Sequence, residues 1–160
     1  NCDRERKTNC KQIKKSGYSM ILRHIGITVT DLEKSLEFYR DILGFQVVRI
    51  MDESGAHIDK FSALEGVKVK TVKLKDANGG MLELLQYHSH PKEAERKDIT
   101  HIGCSHFALT VKNLDLLLDR VLEKGYTINS PPQYSPDGKV KLTFCSGPDG
   151  TLIEMVEELN

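Results

Sequence analysis

The chain has 160 residues, of which 39% are hydrophobic and 29% charged, the balance of an ordinary soluble globular protein. Its formal net charge is zero, which removes the broad basic surface that nucleic acid or an anionic membrane would recruit. No apolar run approaches the ~20 residues of a membrane span, and the length suits one domain, or two small modules sharing a core.

Residues 1–20 stand apart. They carry Arg4, Arg6, Lys7, Lys11, Lys14 and Lys15 against Asp3 and Glu5, with almost no apolar periodicity. The segment reads as a disordered basic tail or a non-native extension, with Met20 directly before the first strand. It lacks the apolar stretch of a secretory signal. The four cysteines, Cys2, Cys10, Cys104 and Cys145, show no CxxC spacing. A disulfide framework is therefore not expected, and a cytoplasmic location fits.

From residue 24 the chain alternates. His24, Gly26 and Thr28 point one way, and Ile25, Ile27 and Val29 the other, as in a strand with one buried face. Thr30 and Glu33 have capping-box spacing. Leu32, Leu36, Tyr39 and Leu43 then form a helical stripe that Gly44 can end. Strands are expected near residues 45–51 and 67–75. The stretch 52–64, with His57, has no clear period and reads as a long loop or lid. Asn78-Gly79 marks a turn into the apolar strand "MLELLQY", which is interrupted by Glu83.

Residues 91–103 read as a linker, after which the pattern returns. "HFALTV" sets His106, Ala108 and Thr110 opposite Phe107, Leu109 and Val111. Asn113 is the expected helix cap. Leu114, Leu117, Leu118, Val121 and Leu122 form the stripe, and Gly125 ends it. Strands are expected near 127–129 and 139–145. Asp149-Gly150 opens a last strand interrupted by Glu154. The chain is thus α+β, with two βαβββ modules at residues 21–90 and 104–160.

Each module supplies one histidine on its first strand and one glutamate on its last. A carboxylate inside an apolar strand is expensive to bury without a partner, and it recurs at matched places. His24, Glu83, His106 and Glu154 together offer two imidazoles and two carboxylates, a set able to hold one divalent ion with positions left for water or substrate. The candidate metals are nickel, cobalt, zinc, manganese and iron(II).

The motifs "HIGITVTDLEKSLEFYRDILGF", "MLELL", "HFALTV" and "GPDGTLIEM" resemble those of the vicinal oxygen chelate superfamily. That family contains glyoxalase I, methylmalonyl-CoA epimerase, extradiol dioxygenases, and the fosfomycin and bleomycin resistance proteins. The resemblance spans residues 21–157. It implies paired βαβββ modules curled into a half-barrel around a metal, often in a homodimer. The His/Glu/His/Glu ligand pattern of glyoxalase I is matched at His24, Glu83, His106 and Glu154.

The resemblance further implies a lyase or isomerase. The metal would act as a Lewis acid on a small oxygenated substrate, and Glu154 and Glu83 would move a proton through an enediolate or enolate. Where glyoxalase I has an arginine and an asparagine for glutathione, this chain has Thr28 and Tyr87, so another substrate is expected. Where the epimerases have a carboxylate on the preceding strand, it has Val69. An extradiol-type dioxygenase, which uses two histidines and one carboxylate, and a non-catalytic binding or resistance protein are the alternatives. His88, His90 and His101 read as exposed loop side chains, His57 as a lid residue, Tyr87 and Tyr134 as packing aromatics, and Cys104 and Cys145 as buried structural thiols.

Overall fold

The computed structural model describes residues 20–95 and 97–159. The expected tail, at residues 1–20, lies outside the described residues except for Met20.

Four strands build a first sheet: β1 (Ile25–Thr28), β2 (Gln46–Ser54), β3 (Lys68–Lys75) and β4 (Met81–Tyr87). Their order is β1-β4-β3-β2. β1 runs parallel to β4, and the other pairs are antiparallel. The second sheet contains β5 (His106–Thr110), β6 (Thr127–Ile128), β7 (Gln133–Tyr134), β8 (Val140–Ser146) and β9 (Leu152–Glu158). Its order is β5-β9-β8-β6, with β7 also paired to β8. The parallel pair β5–β9 repeats β1–β4. The two-residue β7 is an addition to the expected four strands.

Between β1 and β2 runs α1 (Leu32–Leu36), which widens without a break into a π-helical turn, Glu37–Ile42. Its cap is Asp31, whose carboxylate accepts from the Lys34 amide. The expected capping box at Thr30 is not formed, because the Thr30 amide and hydroxyl both donate to Asp149, at 2.8 and 2.5 Å. The apolar stripe is also broader than expected, with Phe38 and Ile42 joining Leu32, Leu36 and Tyr39 in the core. Two bodies cover this helix, the first sheet on one side and the second module on the other. Phe38 stacks on Tyr126, ring centroids 4.5 Å apart. A side chain at Gly147 would come within 3.0 Å of the Phe38 ring. Gly44 ends the helix at φ +83.

The stretch expected to be a long loop is more ordered than that. β2 runs on to Ser54, and α2 (Ala56–Ser62) follows. Ile58 packs with Val67 and Val69 in a small apolar cluster, and Asp59 ties down the Gly66 and Val67 amides. Only Ile58 of α2 is buried, so the segment carries no repeating apolar stripe.

α3 (Leu114–Glu123) is capped by Asn113 as expected, its side chain accepting from Leu116 N–H. It buries Leu114, Leu118 and Val121, while Leu122 is 47% exposed. Arg120 donates to the Asp41 carbonyl at 2.7 Å, another link between the modules. One core joins both halves: Val72, Leu74, Leu82 and Leu84 of the first sheet cluster with Cys145, Ile153 and Met155 of the second.

The two body cysteines differ. Cys145 is buried, and burial pushes its thiol up to about 12. Cys104, expected to be buried, is exposed, because it lies before β5 begins. Since the thiolate is the nucleophile, N-ethylmaleimide at about pH 8 is expected to modify Cys104 quickly and to leave Cys145 intact until denaturant is added. Peptide mass spectrometry reads both positions. Prompt alkylation of Cys145 in the folded protein would show that its strand opens readily.

Candidate metal centre

Strand alternation decides where the four candidate ligands point. Leu82 and Leu84 enter the core, so Glu83 between them faces the other way. Ile153 and Met155 do the same to Glu154. The parallel registers then bring each histidine alongside its glutamate. Gly26 pairs with Glu83 and Ala108 with Glu154, so His24 and His106, two residues earlier, share those faces. Gly26 and Ala108 are small, which leaves open space in front of the carboxylates.

In the first module His24 Nε2 lies 3.2 Å from Glu83 Oε2. In the second, His106 Nε2 lies 3.5 Å from Glu154 Oε2. The two side-chain pairs match, as the internal repeat implies. His106 also has its Nδ1 at 2.9 Å from the Ser105 hydroxyl, the kind of outer contact that orients a ligating imidazole. Each pair sets one imidazole nitrogen close to one carboxylate oxygen, a spacing that two ligands of one divalent ion can share.

The halves do not meet within one chain. Both glutamates face away from the single core shared by the modules, and among the described residues no three His, Cys, Asp or Glu side chains come together in one cluster. A groove lies elsewhere, between the π-helical turn and the second module, and is lined by Lys34, Glu37, Arg120 and Tyr126 but none of the four ligands.

The lesser candidates are dispersed. His88 and His101 are exposed, and His90 Nδ1 lies 2.8 Å from the Ser89 hydroxyl. His57 stands edge-on to Phe61 on the outside of α2. Tyr134 is 65% exposed. Tyr87 packs against the Ile58 cluster, as expected for a packing aromatic.

Three features on the ligand faces escaped the sequence reading. At the far end of the first face Leu85 and Tyr87 pack against the cluster that Ile58 of α2 forms with Val67 and Val69. Lys73 lies 3.3 Å from Glu83 Oε1. Phe144 stands edge-on to the His106 ring, centroids 5.1 Å apart. In sequence Lys73 is one of four lysines in "VKVKTVKLK" spaced like solvent-facing strand residues, and only the register with β4 singles it out.

This arrangement, two curled unclosed mixed sheets each bearing a His–Glu pair, defines a paired-module protein of the glyoxalase-like fold. The sequence profile of the glyoxalase/bleomycin resistance protein/dioxygenase superfamily matches residues 21–155, and the chain belongs to that superfamily. A probable lactoylglutathione lyase of Synechocystis is 29% identical over 138 residues, 86% of this chain and 95% of that protein. A catechol-2,3-dioxygenase of Bacillus subtilis is 28% identical over 138 residues, 82% of this chain but 40% of the dioxygenase. Among solved structures, a glyoxalase family protein of Bacillus cereus superposes with a TM-score of 0.81 at 20% identity, over 91% of this chain and 99% of that one.

Proposed function

We propose that the chain is a metal-dependent lyase or isomerase of the glyoxalase-like type, acting on a small oxygenated substrate, and that it works as a homodimer. The observation that carries this reading is the duplicated pair: His24 with Glu83 and His106 with Glu154, at equivalent places in two internal repeats. Because each chain turns its two half-sites away from the common core, a complete set is assembled from the first half of one copy and the second half of another.

When bound there, a divalent ion would supply Lewis-acid polarisation of a substrate oxygen. The protein's own part is proton transfer. Glu154 takes a proton from the carbon beside that oxygen, and the electrons move into an enediolate or enolate. Glu83, on the facing half, is placed to return a proton to the neighbouring carbon. Phe144 is the cross-strand neighbour of Glu154, whereas Glu83 is paired with Lys73. The relatives named lactoylglutathione lyase support this class of chemistry. Thr28 and Tyr87 support a substrate other than a glutathione adduct, since Tyr87 is engaged in apolar packing.

The test is turnover in deuterium oxide with metal-loaded protein and a panel of 2-oxoaldehyde hemithioacetals and acyl-CoA thioesters. A processed substrate is expected to acquire deuterium at the carbon next to its polarised oxygen. Glu154→Gln is expected to lose about 10²-fold or more in turnover, the scale of one general base. Oxygen uptake with no deuterium incorporation would replace proton transfer by the dioxygenase reading, which the catechol-2,3-dioxygenase relative keeps in view.

A further inference from the structure

The two ligand faces share their His–Glu pairs but differ immediately beyond them. On the first face, antiparallel register sets Lys73 directly opposite Glu83 and Arg49 directly opposite Lys73. Directly opposed residues of paired strands project from one side of the sheet, so Glu83, Lys73 and Arg49 form a row leading out from the centre to the edge strand. Lys75 continues the same side and is exposed. At the corresponding place opposite Glu154 the second face carries Phe144. The cations are therefore no part of the repeated framework that holds the ligands.

We propose that Lys73 and Arg49 form an anion subsite, which holds a carboxylate of the substrate a few bonds away from the oxygens engaged at the centre. The proposal rests on the metal-centre reading above. Charge balance is its first support. Glu83 and Glu154 together offset a divalent ion, so Lys73 and Arg49 leave the assembled site with surplus positive charge that favours an anionic ligand. Donor capacity is the second. The Lys73 ammonium has three donors, its only ion-pair partner among the described residues is Glu83 Oε1, and its side chain is 25% exposed.

Arg49 is exposed and has no ion-pair partner among the described residues. Its planar fork suits a carboxylate. Glu53, the other carboxylate of this face, lies two rungs further along β2 and accepts from the Thr71 hydroxyl at 2.6 Å. The Ile58 cluster closes that far end with apolar groups. The row of cations is thus the polar exit from the centre on this face.

The experiment measures binding by calorimetry to the manganese-loaded protein, with 2-oxoglutarate and 2-oxopentanoate as probes. These share the 2-oxo acid head and differ in the distal carboxylate. Wild-type protein is expected to prefer 2-oxoglutarate by about tenfold or more, the effect of one charge-assisted contact. Lys73→Met and Arg49→Met are each expected to remove most of that preference, and Lys73→Arg to keep it, with metal content by mass spectrometry and thermal midpoint unchanged. Metal-loaded wild type with no preference, or both Met variants retaining it, overturns the subsite alone. Loss of metal in Lys73→Met, unrestored in Lys73→Arg, also overturns it, because Lys73 would then serve only to position Glu83. Wild-type protein that takes up no divalent ion overturns the centre itself and the subsite with it.

Discussion

Chains carrying His24→Ala and chains carrying His106→Ala are expected to bind metal together when neither does alone. Each variant breaks one half-site, so in a homodimer of either variant both assembled sites lack an imidazole. In a mixed dimer the intact His24–Glu83 half of one chain faces the intact His106–Glu154 half of the other, and a single complete site returns. Statistical mixing makes half of the dimers mixed, with one good site in two, so co-refolded chains are expected to recover about a quarter of the wild-type metal content. The measurement is metal per protomer after desalting. The reason lies in the alternation of β4 and β9: the core residues flanking Glu83 and Glu154 are held in one common cluster, so both carboxylates face outward from it. Recovery at the level of the separate variants would mean that each site belongs to one chain.

Phe38→Ala is expected to cost about 3–5 kcal/mol of folding stability, the range for truncating a buried aromatic. Phe38 is fully buried. It meets Tyr39 edge-on at 5.1 Å and Tyr126 at 4.5 Å, and its ring edge closes on the Gly147 backbone of the second module. The cavity would open at the seam between modules, where a collapsing neighbour has little freedom to fill it. Urea unfolding followed by circular dichroism measures the loss. The same variant is expected to unfold with a lower midpoint at either module, because the seam couples them. A loss below about 1 kcal/mol, the size of an average substitution, would show that the seam repacks around the gap.

Much of this molecule was legible in its order of residues. Period-two alternation placed β1 and β5, and the helical stripes with Asn113 and Gly44 placed α1 and α3. The repeat singled out His24, Glu83, His106 and Glu154, because a polar residue that interrupts an apolar strand twice at matched positions has a local signature. The comparisons then bore out the superfamily that the same motifs resemble.

What remained illegible depends on contacts distant in sequence. Thr30 reads as a capping residue until Asp149, 119 positions away, takes both of its donors. Phe38 and Ile42 fall off a simple stripe, because a helix covered on two sides buries more than one face. Lys73 and Phe144 look like ordinary strand residues until the registers set one beside Glu83 and the other beside Glu154. Local periodicity thus determined the elements and the four ligand candidates by itself, since alternation and helical spacing are properties of adjacent residues. Only the tertiary structure decided which way the two ligand faces turn and what charge surrounds each, since both follow from how the modules pack on one core.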